Sequence, residues 1–304
     1  MSAAESSRGS STLAGIGWMV ATTFCFVTVT GIVRYIGTDF AAVEAAFIRY
    51  AFGLVIFLPM MRPQLANLPT RRAIATYALR GLVHSAGVML WFYAMARIPI
   101  AEVTALGYTA PIFVAVGAAF FFGEKLHARR IAAVVIGFLG TLLILRPGFH
   151  EIGPGQLAQL MAAPMFAMSF LFAKRLTEDE DPLMIVIWLT IFCTLFLLPG
   201  AVINWSNPTL SEVFWLAMTA AVATLGHYTM TRAIKAAPLT VTQPISFLQL
   251  VWATALGILV FNEAMDPFVL IGGGVIVAAI TFISHREAAA ARRQITPPAP
   301  ATRD

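Results

Sequence analysis

The chain has 304 residues, 59% of them hydrophobic and only 12% charged, with a mean hydropathy of +0.81. A soluble domain uses about 25% charged residues to clothe its surface, so a water-facing globular fold is excluded and lipid is the expected solvent. The net charge of +5 would suit a nucleic-acid binder, but the basic residues collect in alternate loops, so no nucleic-acid partner is expected.

Residues 1–12 (MSAAESSRGSST) are polar and form an expected cytoplasmic N-terminus. The apolar run that follows, 13–33, is longer than a signal-peptide core and is read as a retained span. Nine more apolar runs follow, at 43–61, 73–96, 101–122, 129–145, 157–176, 183–203, 212–235, 239–261 and 268–284. Runs of this length cross a hydrocarbon layer about 30 Å thick. Backbone groups in lipid must be satisfied within the segment, so the spans are helices, and the dyad alternation of a membrane barrel is absent. The expected fold is an all-α integral membrane protein with ten transmembrane helices. The tail 286–304 (REAAAARRQITPPAPATRD) is expected to be a disordered cytoplasmic end.

With the N-terminus inside, fifteen of the twenty lysines and arginines fall on the cytoplasmic side, among them Arg71, Arg72, Arg129 and Arg130. Three, Arg34, Arg97 and Arg146, fall on the other side. This positive-inside bias puts both termini in the cytoplasm, in a bacterial-type inner membrane.

Two greasy spans end alike, in FFGEKLH (121–127) and VFNEAMD (260–266), with Glu124 and Glu263 139 residues apart. At that offset Ala94 falls on Ala233, Tyr108 on Phe247 and Ala118 on Gly257. Each half holds five spans, and an odd number sends the second copy into the bilayer from the opposite side. The halves are therefore inverted repeats about a pseudo-two-fold axis in the membrane plane. The expected organisation is repeat 1 over 13–146 and repeat 2 over 147–285. Glu124 and Glu263 lie at opposite mouths and are read as helix-end or gating residues.

Phe47-Ile48-Arg49-Tyr50, Trp91-Phe92-Tyr93-Ala94, Ala110-Pro111, Phe122-Gly123-Glu124 and Arg146-Pro147-Gly148 resemble the drug/metabolite transporter superfamily, in its ten-helix form built from two EamA repeats. The resemblance covers about residues 13–285. The stretch LRGLVHSAGVMLWFYAMARIPIAEVTALGYTAPIFVA (79–115) resembles, more narrowly, members that take up riboflavin or S-adenosylmethionine. What this implies is secondary transport of a small polar or aromatic metabolite by alternating access, with export of amino acids or drugs as the alternative. Leu250 stands where Pro111 aligns, with Pro244 earlier, and Asn262 replaces Gly123. These departures leave open whether the fourth and ninth spans kink alike.

Ionisable side chains at bilayer depth are costly and are functional candidates by default. All fifteen acidic residues fall in loops or at span ends, which disfavours a carboxylate relay. Arg80, His84 and Trp91 share one stripe of the third span at spacings of 4 and 7, with Gly87 leaving room between them. Arg80 either snorkels to the cytoplasmic headgroups or joins His84 in a cavity. His84 is either a cavity residue or a helix-packing one. His227 and Tyr228 occupy the eighth span, where Thr224, His227 and Thr231 form a polar stripe that lines a cavity or joins helices. Tyr108 and Gln249 sit on polar faces of spans 4 and 9, and Pro111 is expected to kink span 4 by removing a backbone donor. Arg49 either neutralises an anionic group of the solute or pairs with Glu44 or Glu102. The stripe Met161, Met165 and Met168 faces lipid or core more readily than a ligand.

There is no Walker-type phosphate loop, no HxxxH pair, and only two isolated cysteines. No catalytic residue, cofactor or metal is expected, and a membrane-embedded enzyme or a receptor is disfavoured. The expected partners are a small-molecule substrate and the lipid bilayer, with a homodimer entertained.

Overall fold

Helix boundaries fall where the side-chain chemistry places them. Thr70 caps one helix by accepting from Ala73 N at 3.2 Å, and Asp181, followed by Pro182 at the first helical position, caps another by accepting from Leu183 N. Thr209 and Glu212 form a reciprocal capping box. At the other kind of end, Asn262 closes a helix in the left-handed conformation at φ 52°, which Asn tolerates better than most residues.

The computed structural model describes residues 3–38, 41–65, 69–122, 128–149, 151–176, 179–237, 242 and 245–295. Its helices are α1 (Ala3–Ile36), α2 (Ala42–Leu65), α3 (Arg71–Met95), α4 (Ile100–Gly107), α5 (Ala110–Phe122) and α6 (Ala128–Leu145), then α7 (Pro154–Leu176), α8 (Pro182–Ile203), α9 (Leu210–Ala236), α10 (Leu248–Phe261) and α11 (Pro267–Ile295). Helices α4 and α5 are two halves of one crossing, so the described elements make ten crossings. Six of them are long and apolar enough to span a membrane by themselves. The fold is an all-α integral membrane bundle of two five-helix repeats.

The neighbours of each helix carry the symmetry. α1 packs on α9 while α3 packs on α7; α2 packs on α8, α6 on α11 and α4 on α10. Exchanging the repeats turns the first two pairs into each other and the last three into themselves, as an inverted two-fold arrangement requires. At the α6–α11 pair the backbones nearly touch. A Cβ on Gly140 would lie 2.8 Å from the Gly272 carbonyl oxygen, and one on Gly272 would lie 2.6 Å from that of Gly140. With no hydrophobic force between helices in lipid, such small-residue seams allow the close packing that holds them.

Three departures from the expected spans are informative. The fourth span breaks at Tyr108 and Thr109, ahead of Pro111, where the missing N–H and the ring clash interrupt the ladder. The ninth breaks at the matching place: residues 245 and 246 are helical, 247 is a turn and α10 begins at Leu248. The two kinks therefore correspond although Leu250 replaces the proline. Finally, α1 begins already at Ala3 and α11 runs on to Ile295, past the expected ends. The segment EAAAAR is rich in strong helix formers, which explains the second extension. Glu124, Gln243 and residues 296–304 lie outside the described residues.

The two ends of the bundle will be called the Arg71 face and the Arg146 face. At the Arg146 face the repeats are tied together. Glu263 accepts from Ile100 N at 2.9 Å and lies 3.1 Å from Arg34 Nη2, while Arg34 Nη1 donates to the Ala96 carbonyl. Arg146 donates to Asp266 and its guanidinium stacks over the Phe268 ring. What remains open under these ties is a cavity of about 50 Å³ beside Glu102, Glu263 and Asp266, which suits water rather than a metabolite.

Candidate functional site

Tyr50 of α2 links two of the basic side chains: the Arg49 guanidinium lies over its ring and His84 of α3 meets it edge to face. Arg49 comes from α2, Arg80 and His84 from α3, and His227 from α9. Both arginines act electrostatically on His84 and on His227, and His227 acts on His84. Their surroundings are Tyr50 and Cys193, which feel both guanidinium charges as well. His227 is exposed, with Phe26 edge-on to its ring at 5.3 Å.

α3 carries its stripe as the spacing predicts, and the stripe faces α7. His84 Nδ1 shares a 3.0 Å hydrogen bond with Ser169 Oγ. The ring centroids of Tyr50 and Phe166 lie 6.3 and 5.3 Å from that of His84, edge to face, and Trp91 meets the same Phe166 with centroids 6.1 Å apart. The room left by Gly87 is filled by that helix: a Cβ there would meet Met165 and Phe166 at 3.1 and 3.2 Å. So the space expected for a solute beside Gly87 is occupied by helix packing. Arg80 does not reach for a headgroup; its Nη1 donates to the Ile185 carbonyl of α8 at 3.0 Å.

Arg49 is 9% exposed and its guanidinium sits over the Tyr50 ring at 4.4 Å. Neither carboxylate offered to it by the sequence is its partner. Glu44, fully buried, accepts from Ser206 N at 3.1 Å and Ser206 Oγ at 2.9 Å. Glu102 sits with Gln156 and within reach of Arg146.

The helix breaks meet near the middle of the bundle. Tyr108 and Phe247, the pair matched by the repeat offset, lie with ring centroids 5.1 Å apart, edge to face. The Tyr108 hydroxyl points at the Phe247 carbonyl at 3.5 Å, a long contact. Gln249 is half-buried in the first turn of α10, and Pro111 is exposed.

Other candidates stand apart from this cluster. Tyr228 is exposed, with its hydroxyl accepting from Arg232 and its ring edge-on to Trp18. Thr224 bonds back to Ala220 O in its own helix, and Met161 is exposed. Sequence reasoning missed several participants. Tyr50 entered only as part of a family motif and Cys193 only as an isolated cysteine, Ser169 and Phe166 read as ordinary small or apolar residues, and Ser206 and Asp266 as loop polarity. Only Ser169, a hydroxyl in a greasy helix, gave any signal.

The comparisons with known proteins fit this geometry. The family described as the EamA-like transporter family matches residues 13–146 and again 153–285. The chain is 28% identical to the S-adenosylmethionine uptake transporter of Rickettsia bellii, over 92% of this chain and 97% of that one. It is also 28% identical to the riboflavin transporter of Vibrio cholerae, over 93% and 96%, and 25% identical to the pseudopaline exporter CntI of Pseudomonas aeruginosa, over 89% and 96%. A solved crystal structure 18% identical to the chain shares the fold, with a TM-score of 0.55 over 95% of this chain and 100% of that one. With its two family matches together spanning nearly every crossing of the bundle, the chain belongs to the EamA-like transporter family.

Proposed function

We propose that the protein is a secondary transporter that moves a small polar or aromatic metabolite by alternating access, with uptake of a cofactor-like solute such as riboflavin or S-adenosylmethionine as the leading substrate assignment. The observation that carries this reading is the meeting of Tyr108 and Phe247, symmetry-matched residues at two helix breaks. Broken helices at a repeat interface supply backbone groups for a solute and hinges for rocking one repeat against the other. Arg49, Arg80, His84 and His227 lie on α2, α3 and α9, and α3 also touches α4. By the loop charges the Arg71 face is cytoplasmic, so the tied Arg146 face is the outer gate, closed, with Glu263 as its latch. The repeat offset gives Glu124 the corresponding place at the inner mouth.

Relatives named for uptake and for export both occur, so direction is a matter for experiment. The purified full-length protein would be reconstituted in sealed vesicles and assayed for counterflow of labelled S-adenosylmethionine, riboflavin and tryptophan. Accumulation of one of them above protein-free vesicles is expected. Failure of folded protein to move any of the three would overturn the substrate assignment.

A further inference from the structure

We propose that Arg49, backed by Arg80, forms an anion subsite that takes a carboxylate or phosphate oxygen of the transported solute. The inference rests on the transporter reading above and narrows its substrate class.

Arg49 lies seven residues into α2, about 10 Å below the helix end at 1.5 Å per residue. It is more than nine-tenths buried, and its Nε and Nη1 have no acceptor. A guanidinium carries its charge throughout the pH range of a cell. Taking such a charge out of water is unfavourable unless an anion or a set of acceptors replaces the water, so buried cations are ordinarily paired. Here the carboxylates near in sequence are committed elsewhere: Glu44 to Ser206, and Glu102 to the neighbourhood of Gln156 and Arg146. Two arginine–carboxylate pairs among the described residues, Arg34–Glu263 and Arg146–Asp266, are at the Arg146 face.

The second guanidinium makes the imbalance larger. Arg80 spends Nη1 on the Ile185 carbonyl and leaves Nε without an acceptor. Both charges act on Tyr50, Cys193 and His84, so the two guanidiniums share neighbours across α2 and α3. Like charges with shared neighbours repel. An anion between them relieves the repulsion and the desolvation at once, through charge-assisted hydrogen bonds that are about twice as strong as neutral ones. A neutral ring system supplies no such group; an amino-acid carboxylate or a phosphate ester does.

The test uses the purified full-length protein in detergent as wild type, Arg49→Gln and Arg49→Lys. Melting would be followed without solute and with matched pairs: S-adenosylmethionine and its decarboxylated form, tryptophan and tryptamine, FMN and riboflavin. Without solute, Arg49→Gln is expected to melt at or above wild type, because it removes the cost of burying a charge that no carboxylate balances, at the loss only of the contact with the Tyr50 ring. In any pair that binds, the anionic member is expected to bind at least tenfold more tightly. Preference for S-adenosylmethionine or tryptophan marks a carboxylate subsite, and preference for FMN marks a phosphate subsite. Arg49→Gln should abolish the preference and Arg49→Lys keep part of it. The proposal is overturned if solute-free Arg49→Gln melts several degrees below wild type, since Arg49 is then a structural cation. It is equally overturned if a binding pair shows no preference, or if the preference survives in Arg49→Gln. The solute-free melt decides the matter even where no pair binds, and that outcome counts against the substrate assignment above instead.

Discussion

Glu263 does two jobs with one carboxylate. One oxygen accepts the N–H at the start of α4 and the other faces Arg34, so it complements a helix N-terminus and joins the repeats. Glu263→Gln keeps the size but loses the charge, worth about 1–2 kcal/mol with helix dipole and ion pair together. That corresponds to roughly a five- to thirtyfold shift toward an open Arg146 face. A Thr254→Cys reporter, placed in the small cavity under this gate, should be alkylated faster in the Glu263→Gln background; an unchanged rate would mean the carboxylate does not hold the face shut. Two further substitutions probe the centre. His84→Ala and Gln249→Ala are expected to leave melting within a few degrees of wild type and to slow vesicle transport about fivefold or more, the effect of one lost hydrogen bond of about 1 kcal/mol. Normal rates from well-folded variants would remove both residues from the solute path. Residue type and depth were legible here for Arg49, Arg80, His84 and His227, because ionisable groups stand out against a greasy background. Their partners were not legible. Glu44 could equally have met Arg49, and only the fold shows it turned to Ser206.

At the scale of helices, the seams between crossings are what the sequence concealed. Gly140 and Gly272 read as two of many glycines, yet each faces the other's backbone. Gly140→Val should push α6 from α11, lowering the melting temperature by an amount equivalent to about 1–3 kcal/mol of overpacking. Gly17→Ala is the control: nothing lies within 4 Å of its Cβ position, so it should be neutral or slightly stabilising. If the two variants melt alike, the α6–α11 approach is not as close as described. Gly87 carries the opposite lesson. Its stripe-mates suggested an opening, and α7 fills it with Met165 and Phe166. A one-dimensional pattern specifies which residues share a face, not what lies across from them. The broken spans differ in their local signs. Pro111 announced one kink, while at the matching break Leu250 stands at the aligned position and the proline of that span, Pro244, lies three residues ahead of Phe247.

For the whole molecule, the decisive measurement is topology. The inverted arrangement requires reporters fused at residues 150 and 180 to lie on opposite sides of the bilayer, with the site at 180 on the cytoplasmic side by the loop charges. Finding both on one side would dismantle the two-fold relation and with it the paired gates.

Composition and hydrophobic run length determined that this chain lives in lipid and crosses as helices, and residues matched at an offset of 139 showed that its halves repeat. Those conclusions depend on the cost of unsatisfied backbone in hydrocarbon, on counting spans and on comparing the chain with itself, all of which are local or additive. The tertiary structure alone decided which face is tied together, which carboxylates are spent, and that Arg49 and Arg80 keep buried N–H groups without acceptors. Such facts depend on pairings between residues more than a hundred positions apart, and in lipid those pairings are chosen by close packing and hydrogen bonding, which leave no period in the sequence.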